Sequence, residues 1–381
     1  MNKRKLWPLL LLFSSGSAAA ETKFAGYLKS FAVVQDSIDS PYLQADRLFE
    51  SRNSLRLMWQ VFSGHTIWQL HYEITPVLSS HPVAYTGAGL TGTNTWRLTD
   101  IEPSLTSNPK REVYQNLDRF NVQFRFRAGD LTIGRQPITF GTARVINPTD
   151  VFLPFDVRTL NREYRVGVDA IRFQHPFGQL SELDVGVIAG DDARTDTSSA
   201  FLQVKTNVNG NDLQLALIRY AGQTLAGGGV QTALGNFGFW FEGAAVWGDE
   251  NYQRVSTGLD YAFTENVYGL IEYHYNGAGE SREQDYPVNV TRAPYRVGGV
   301  FLLGRQYIIP SVNVQLSPLW TVTAQALANL SDGSVFLSLA TTCNITENAY
   351  VDLGYYHFLG NRLSEYGADP DTLYASIRYY F

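Results

Sequence analysis

The chain has 381 residues and a formal net charge of −6, and this negative charge argues against nucleic acid as a partner. Its single cysteine, Cys343, excludes an intrachain disulfide. The aromatic share is high at 13%, while the mean hydropathy is only −0.15. These values leave open a secreted all-β protein and an outer-membrane β-barrel, because only alternate residues of a membrane strand face lipid.

The first twenty residues have the pattern of a secretory signal peptide. Basic residues at 3–5 precede an apolar run at 6–13, and three alanines precede Glu21. The apolar run is too short to cross a bilayer as a helix. We therefore expect residues 1–20 to direct export and residues 21–381 to fold as a single barrel domain.

Alternation of apolar and polar residues then recurs along most of the chain. In one strand, Leu55, Leu57, Trp59 and Val61 form a row opposite Ser54, Arg56, Met58 and Gln60. Such alternation predicts strands with one apolar face. Predicted lengths of about ten to twelve residues suit a tilted crossing of a bilayer better than a soluble sheet. The same pattern recurs at 67–75, 120–127, 312–316 and 320–329.

The connections between these strands alternate between short and long. Assigning 277–305 wholly to a long connection gives an even number of about 18 strands (16–18). The pattern predicts an all-β, antiparallel transmembrane β-barrel with short periplasmic turns and long external loops; a secreted β-sandwich or β-helix is the alternative. The long connections are predicted at about 36–48, 79–117, 142–165, 277–305 and 359–370.

The last strand, "LYASIRYYF", keeps the alternation up to Phe381. It is expected to pair with the first strand, "TKFAGYLKSFAVV", and to close the barrel with Arg378 facing the lumen. A terminal aromatic residue also resembles the signal for the bacterial barrel-assembly machinery. We therefore expect this machinery and outer-membrane lipid as partners, while the question of a homo-oligomer stays open.

The strand that begins at 131 departs from the simple alternation. Apolar residues change parity after Ile133, at Ile138 and Phe140. A β-bulge at Gly134–Arg135 would reconcile the two rows, because one extra residue reverses the alternation. It would place Ile138 and Phe140 on lipid and Arg135 in the lumen.

Residues 142–165 combine apolar side chains with charges of both signs. The apolar residues at 151–153 and 155 predict a loop folded inward against the wall, and its charges would then form a constriction. A solvated outer loop is the alternative. The predicted constriction or solute-binding residues are Arg144, Asp150, Asp156, Arg158, Arg162, Glu163 and Arg165 from the loop, and Arg56, Arg125, Arg127 and Arg135 from the strands.

The order of signal peptide, "GRQ" strand, "NPTDVF" loop and aromatic terminus resembles that of proteobacterial outer-membrane porins. The "IGRQ" strand is similar to one in the alginate-export type, an 18-stranded family. The resemblance implies passive diffusion of a small hydrophilic, often anionic, solute across the outer membrane of a Gram-negative bacterium. The excess of arginines near the loop predicts a mild preference for anions.

Two other functions stay open: a structural or surface-interaction barrel with a plugged pore, and a membrane-embedded hydrolase. The six histidines include no His-x-Ser pair. The pairs His71/Glu73 and Glu272/His274 each share a strand face, which indicates hydrogen bonding in the lumen rather than acid–base catalysis. The sequence has no glycine-rich phosphate loop and no Cys/His metal set. We therefore predict no catalytic residues, no metal and no cofactor.

Overall fold

A computed structural model describes residues 20–39, 44–81, 94–99, 101, 104–106, 108, 110–152, 154, 157–160, 163–289 and 291–381. The predicted signal peptide lies outside these residues except for Ala20. Two of the predicted site residues, Asp156 and Arg162, also lie outside them.

Within this described part, eighteen antiparallel strands form one closed barrel. A two-residue pair, β2 with β3, stands apart in the first long connection. The described helices, α1 (Tyr286–Asn289) and α2 (Ala293–Arg296), are short, and none there is long and apolar enough to cross a membrane. The strands are β1 (Glu21–Gln35), β2 (Ile38–Asp39), β3 (Gln44–Ala45), β4 (Leu48–Ser63), β5 (Thr66–Ser79), β6 (Arg111–Phe126), β7 (Gly129–Gln136), β8 (Val168–Pro176), β9 (Glu182–Ile188), β10 (Ser199–Val208), β11 (Asn211–Tyr220), β12 (Gln223–Leu234), β13 (Phe237–Trp247), β14 (Tyr252–Thr264), β15 (Val267–Asn276), β16 (Gln306–Ser317), β17 (Trp320–Asn329), β18 (Val335–Thr346), β19 (Ala349–Leu359) and β20 (Thr372–Tyr380).

The barrel closes between its first and last strands, as predicted. β1 pairs with β4 on one side and with β20 on the other, where Tyr27 lies opposite Tyr380. The N–H of Phe381 donates to the carbonyl of Gly26 (3.0 Å), and the N–H of Gly26 donates to the carbonyl of Phe381 (2.8 Å). The closed ring leaves neither strand with an unpaired edge, which is the condition for a sheet in lipid.

The connections at one end of the barrel are short turns, and the longer connections lie at the other end, together with the two-residue turn 221–222. The strand count confirms the even number predicted, and the connection 277–305 lies wholly outside the strands. The short turns are 64–65, 127–128, 177–181, 209–210, 235–236, 265–266, 318–319 and 347–348.

Side chains alternate between the outer and inner faces of the wall. Phe120 points outward and is 50% exposed, whereas its neighbour Asn121 points inward and is 6% exposed. This contrast follows from the period of two in a pleated strand. Large apolar side chains of the outer face include Leu28, Trp59, Ile171, Val187, Leu202, Leu215, Phe241, Ile271, Leu339, Leu353 and Ile377.

The predicted β-bulge at Gly134–Arg135 is wrong. The pairing of β7 with β6 runs in unbroken register from Arg135 opposite Phe120 to Gly129 opposite Phe126. Arg135 therefore stays in the outward row with Ile133, because nothing reverses the alternation before β7 ends at Gln136.

Ile138 and Phe140 are not on lipid, as the bulge would require. Both are 3% exposed and lie in an apolar cluster inside the barrel, where Phe140 contacts Phe201 with ring centroids 5.2 Å apart. The chain leaves the sheet after the short strand β7 and turns into the lumen. The change of parity in the sequence thus marks the end of a strand.

The described residues of the segment 137–167, which contains the predicted loop 142–165, fold inward, as predicted for that loop, and belong to two apolar clusters. The first contains Val151 and Phe152, which lie against Trp96. The second contains Ile146 and Val157. The apolar core of this protein is therefore inside the barrel, between the wall and the segment, which we call the inward loop. The predicted contacts of residues 153 and 155 fall outside the described residues.

Candidate functional site

The beginning of the inward loop is bound by a glutamate of the wall. Glu242 on β13 accepts hydrogen bonds from the backbone N–H groups of Thr142 (2.6 Å), Ala143 (2.8 Å) and Thr149 (2.8 Å). The Thr149 hydroxyl adds a fourth bond of 2.7 Å. Because Glu242 is fully buried, these donors replace the water that its charge has lost.

A second wall glutamate, Glu272 on β15, holds the next three residues. It accepts the backbone N–H groups of Arg144 (3.0 Å), Val145 (3.1 Å) and Ile146 (2.8 Å). The indole N–H of Trp240 donates a further bond of 2.9 Å. Strand parity predicts that both glutamates face inward, but it carries no sign that they bind backbone.

The end of the inward loop is bound by a buried charge network on β4 and β6. Asp118 sits at a register shift in β6 and accepts hydrogen bonds from Arg56, from Arg119 and from the N–H of Gly167 (2.8 Å). Arg119 also donates to the carbonyl of Arg165 at 2.8 Å. Arg56 therefore faces inward as predicted, but its fully buried guanidinium supports the loop instead of lining an aqueous passage.

Glu163 connects the loop to the seam where the barrel closes. Its carboxylate accepts hydrogen bonds from Lys29 on β1 and from the hydroxyl of Tyr380 on β20 (2.7 Å). Burial alone would raise the pKa of the Glu163 carboxyl, but the bonds from Lys29 and Tyr380 outweigh burial and lower it. Glu163 is thus ionised and tied to both strands of the seam.

The arginines of the loop have carboxylates beside them, and they differ in exposure. Arg144 is the most exposed of those described, with 48% of its side chain accessible, and its Nε lies 3.5 Å from Asp260. Arg158 is 36% exposed and bonds Asp369 at 2.7 Å. The predicted loop residues that the structure describes therefore each lie within an ion pair; they are Arg144, Asp150, Arg158, Glu163 and Arg165.

A cavity of about 310 Å³ lies beside the loop. Arg165 donates to Asp150 at its edge. Burial raises the pKa of the Asp150 carboxyl to about 6, although the neighbouring Arg165 guanidinium opposes this effect. Among the described residues that line the cavity, three are arginines and one is a carboxylate. The polar and aromatic lining includes Arg144, Asn147, Asp150, Arg165, Arg254 and Phe301.

Three predicted site residues are not brought to the loop. Arg125 and Arg127 lie at the short turn 127–128, at the opposite end of the barrel from the loop's origin. The predicted lumen position of Arg135 is wrong, because its row faces outward. There it binds Asp169 of β8 through Nε (2.8 Å) and Nη2 (3.0 Å).

A serine–histidine contact escapes the sequence patterns because its partners are on different strands. Ser256 Oγ lies 2.8 Å from Nδ1 of His274, and both side chains are fully buried. Ser256 also donates its single hydroxyl proton to the carbonyl of Ile146 at 2.6 Å. His274 must then donate from Nδ1, so it is not placed to remove the serine proton as a general base.

No protein-family model and no curated protein sequence matches the chain. Solved structures do match over nearly the whole length. OccAB1 of Acinetobacter baumannii gives a TM-score of 0.58 at 11% identity, over 94% of this chain and 96% of that one. The outer membrane protein OpdK of Pseudomonas aeruginosa gives 0.58 at 10% identity, over 95% and 98%. A BenF-like porin from Pseudomonas fluorescens gives 0.57 at 10%, also over 95% and 98%.

The chain has the fold of these porins. The prediction of a porin-like barrel with 18 strands is thereby confirmed. The matched share of each chain indicates that the whole barrel, and not one stretch of its wall, is the unit in common.

Proposed function

We propose that the protein is an outer-membrane channel for passive diffusion of small hydrophilic solutes, with a preference for anions. The observation that carries the proposal is the contrast between the two faces of the closed wall. Its outer face exposes large apolar side chains, whereas its inner face carries charges around an inward loop and a polar cavity. Lipid fits the first surface and water the second.

The same contrast supports a location in the outer membrane of a Gram-negative bacterium. A closed barrel satisfies its backbone hydrogen bonds between neighbouring strands and so tolerates a lipid surround. Residues 1–20 would direct export, and the last strand would be recognised by the barrel-assembly machinery. The similar proteins OpdK and the BenF-like porin are described as an outer membrane protein and as a porin.

The preference for anions rests on the lining of the cavity beside the loop. Arg144, Arg165 and Arg254 face a single carboxylate there, Asp150. Low-dielectric walls strengthen the field of such an excess on a passing ion. A small organic anion with a carboxylate group fits this chemistry, and a structure of OpdK has been determined with vanillate.

Reconstitution in a planar bilayer with a salt gradient tests the proposal. We expect discrete conductance steps and a reversal potential on the anion side. Arg144→Gln should move this potential toward cations, whereas Arg194→Gln, which removes a charge exposed in the connection 189–198, should not. Absence of steps would favour a structural barrel with a plugged pore. A potential on the cation side would refute the anion preference alone.

A further inference from the structure

The backbone of the segment 142–149 obtains its hydrogen-bond acceptors from two side chains of the wall. The segment is neither helix nor strand, so its N–H groups lack regular partners. Six of them converge on two carboxylates instead. Those of Thr142, Ala143 and Thr149 donate to Glu242, and those of Arg144, Val145 and Ile146 donate to Glu272.

The carbonyl groups of the same segment are bound from the same side. Ser256 on β14 donates to the carbonyl of Ile146 at 2.6 Å, and Arg254 on that strand lies 3.4 Å from the carbonyl of Pro148. β14 stands between β13 and β15 in the sheet. Three neighbouring strands thus hold one stretch of loop against one side of the lumen.

We propose that Glu242 and Glu272 are positioning residues that set the width and ion selectivity of the channel, by holding the segment 142–149 on this wall. The inference rests on the proposed channel function and deepens it. Because the N–H of Arg144 is fixed on Glu272 while half of its side chain stays accessible, the same contact also places this cation beside the cavity.

The chemistry of the two carboxylates makes them difficult to replace. Each oxygen of an ionised carboxylate accepts more than one hydrogen bond, and here both oxygens of each group are used. Glutamine keeps the shape but turns one oxygen into an NH₂ donor that faces other donors. Glu242→Gln with Glu272→Gln should therefore release the segment while the rest of the wall stays intact.

The release is measured by thiol labelling. A Cys343→Ser background removes the single native thiol, and Val151→Cys places a reporter in the loop, where the native side chain is 1% exposed. A water-soluble maleimide should label the reporter about tenfold faster or more in the double glutamine variant than in its parent. Single-channel conductance should rise in the same variant, and its reversal potential should shift.

Glu182→Gln is the matched control. Glu182 is a lumen carboxylate on β9 that accepts a bond from Gln174 at 3.2 Å, near the short-turn end. This variant loses one carboxylate, as each single glutamine variant does, without touching the loop, so labelling and conductance should stay as in the parent. Each single glutamine variant is measured alongside, and heat-modifiable migration establishes that the barrel has formed.

The possible outcomes distinguish a failure of the positioning role from a failure of the proposed channel function. Unchanged labelling and conductance in folded glutamine variants would overturn the positioning role, and so would equal changes in Glu182→Gln. If the parent itself gave no conductance while labelling rose in the variants, the proposed channel function would be refuted. The claim that the two glutamates set the channel width would be refuted with it. Faster labelling together with larger conductance in the loop variants alone would support both.

Discussion

The assignment of alternate side chains to the outer and inner faces of the wall can be tested at one pair of adjacent residues on β18. Leu339 points outward and is 53% exposed, whereas Ala340 points inward and lines a cavity near Lys29. An arginine at 339 would face the hydrocarbon, and an arginine at 340 would face the lumen. The two variants add the same side chain at nearly the same height, so only the face differs.

The cost at position 339 follows from its depth. Leu339 is the fifth residue of a strand of 12 residues. With about 3.3 Å of rise per residue and a tilt of about 40°, it lies roughly 10 Å from one end of the strand and roughly 18 Å from the other. This is well inside an apolar band of about 25 Å, where a lipid-facing arginine costs about 2–4 kcal/mol.

Equilibrium unfolding by guanidinium in lipid vesicles, followed by tryptophan fluorescence, measures the difference. We expect Leu339→Arg to lower the free energy of unfolding by about 2–4 kcal/mol. Ala340→Arg should change it by less than about 1 kcal/mol, since Ala340 lines an open cavity together with the carboxylates of Glu163 and Asp352. Equal losses at both positions, or a larger loss at 340, would refute the assignment of faces.

Deleting Tyr379–Phe381 removes the last pairs between β20 and β1, so the yield of heat-modifiable barrel should fall severalfold; a normal yield would contradict closure at this seam. Arg158→Glu reverses a partly exposed charge of the inward loop, so the reversal potential should move toward cations. An unchanged potential would show that Arg158 lies outside the ion path. Burial raises the pKa of the Glu365 carboxyl from 4.5 to about 7, so proton binding stabilises the packed loop fully below pH 4.5, and this contribution is lost as pH rises through 7. Exchange of the Leu303 N–H, which donates to Glu365, should therefore accelerate beyond its intrinsic trend as pH rises from 4.5 to about 7, and Glu365→Gln should remove the excess.

The wall of the barrel could be predicted from sequence because its pattern is local. Leu215 and Leu217 face outward and are exposed, while Gln214 and Ala216 between and beside them are buried inward. A period of two, repeated in strands of membrane-spanning length and joined by alternating short and long connections, fits few other folds. The even strand count then follows because the first and last strands of an all-antiparallel sheet pair with each other.

The path of the chain after Ile133 could not be predicted in the same way. A change of parity in apolar residues has two causes: a bulge within a strand, or the end of a strand followed by residues packed elsewhere. The choice depends on whether the lumen offers an apolar surface. Here Trp96 and Phe201, from other parts of the chain, form one together with Phe152 of the inward loop itself, and it covers Ile138 and Phe140.

The inward position of the loop could be predicted from the sequence, but the contacts of its charged side chains could not. The apolar residues of the loop require an inward position, and Val151 and Phe152 take it. Parity assigns a face to a charged residue, but it gives neither height nor partner. Arg125 accordingly faces inward near a turn, far from the loop, and the carboxylate beside Arg158 comes from a connection more than two hundred residues later.

Arg135 shows that a charged residue on a barrel strand need not face the lumen. A charge on the outer face of a barrel is costly unless it is neutralised and hydrogen-bonded. Arg135 meets both conditions, because it binds both oxygens of Asp169 and donates to the carbonyls of Leu117 (2.9 Å) and Thr99 (2.6 Å). The N–H of Leu98 completes the cover by donating to Asp169 at 3.0 Å. An outward arginine in regular register therefore indicates that a loop covers the wall at that point, and the assumption that every charged residue of a strand faces the lumen fails where such a cover exists.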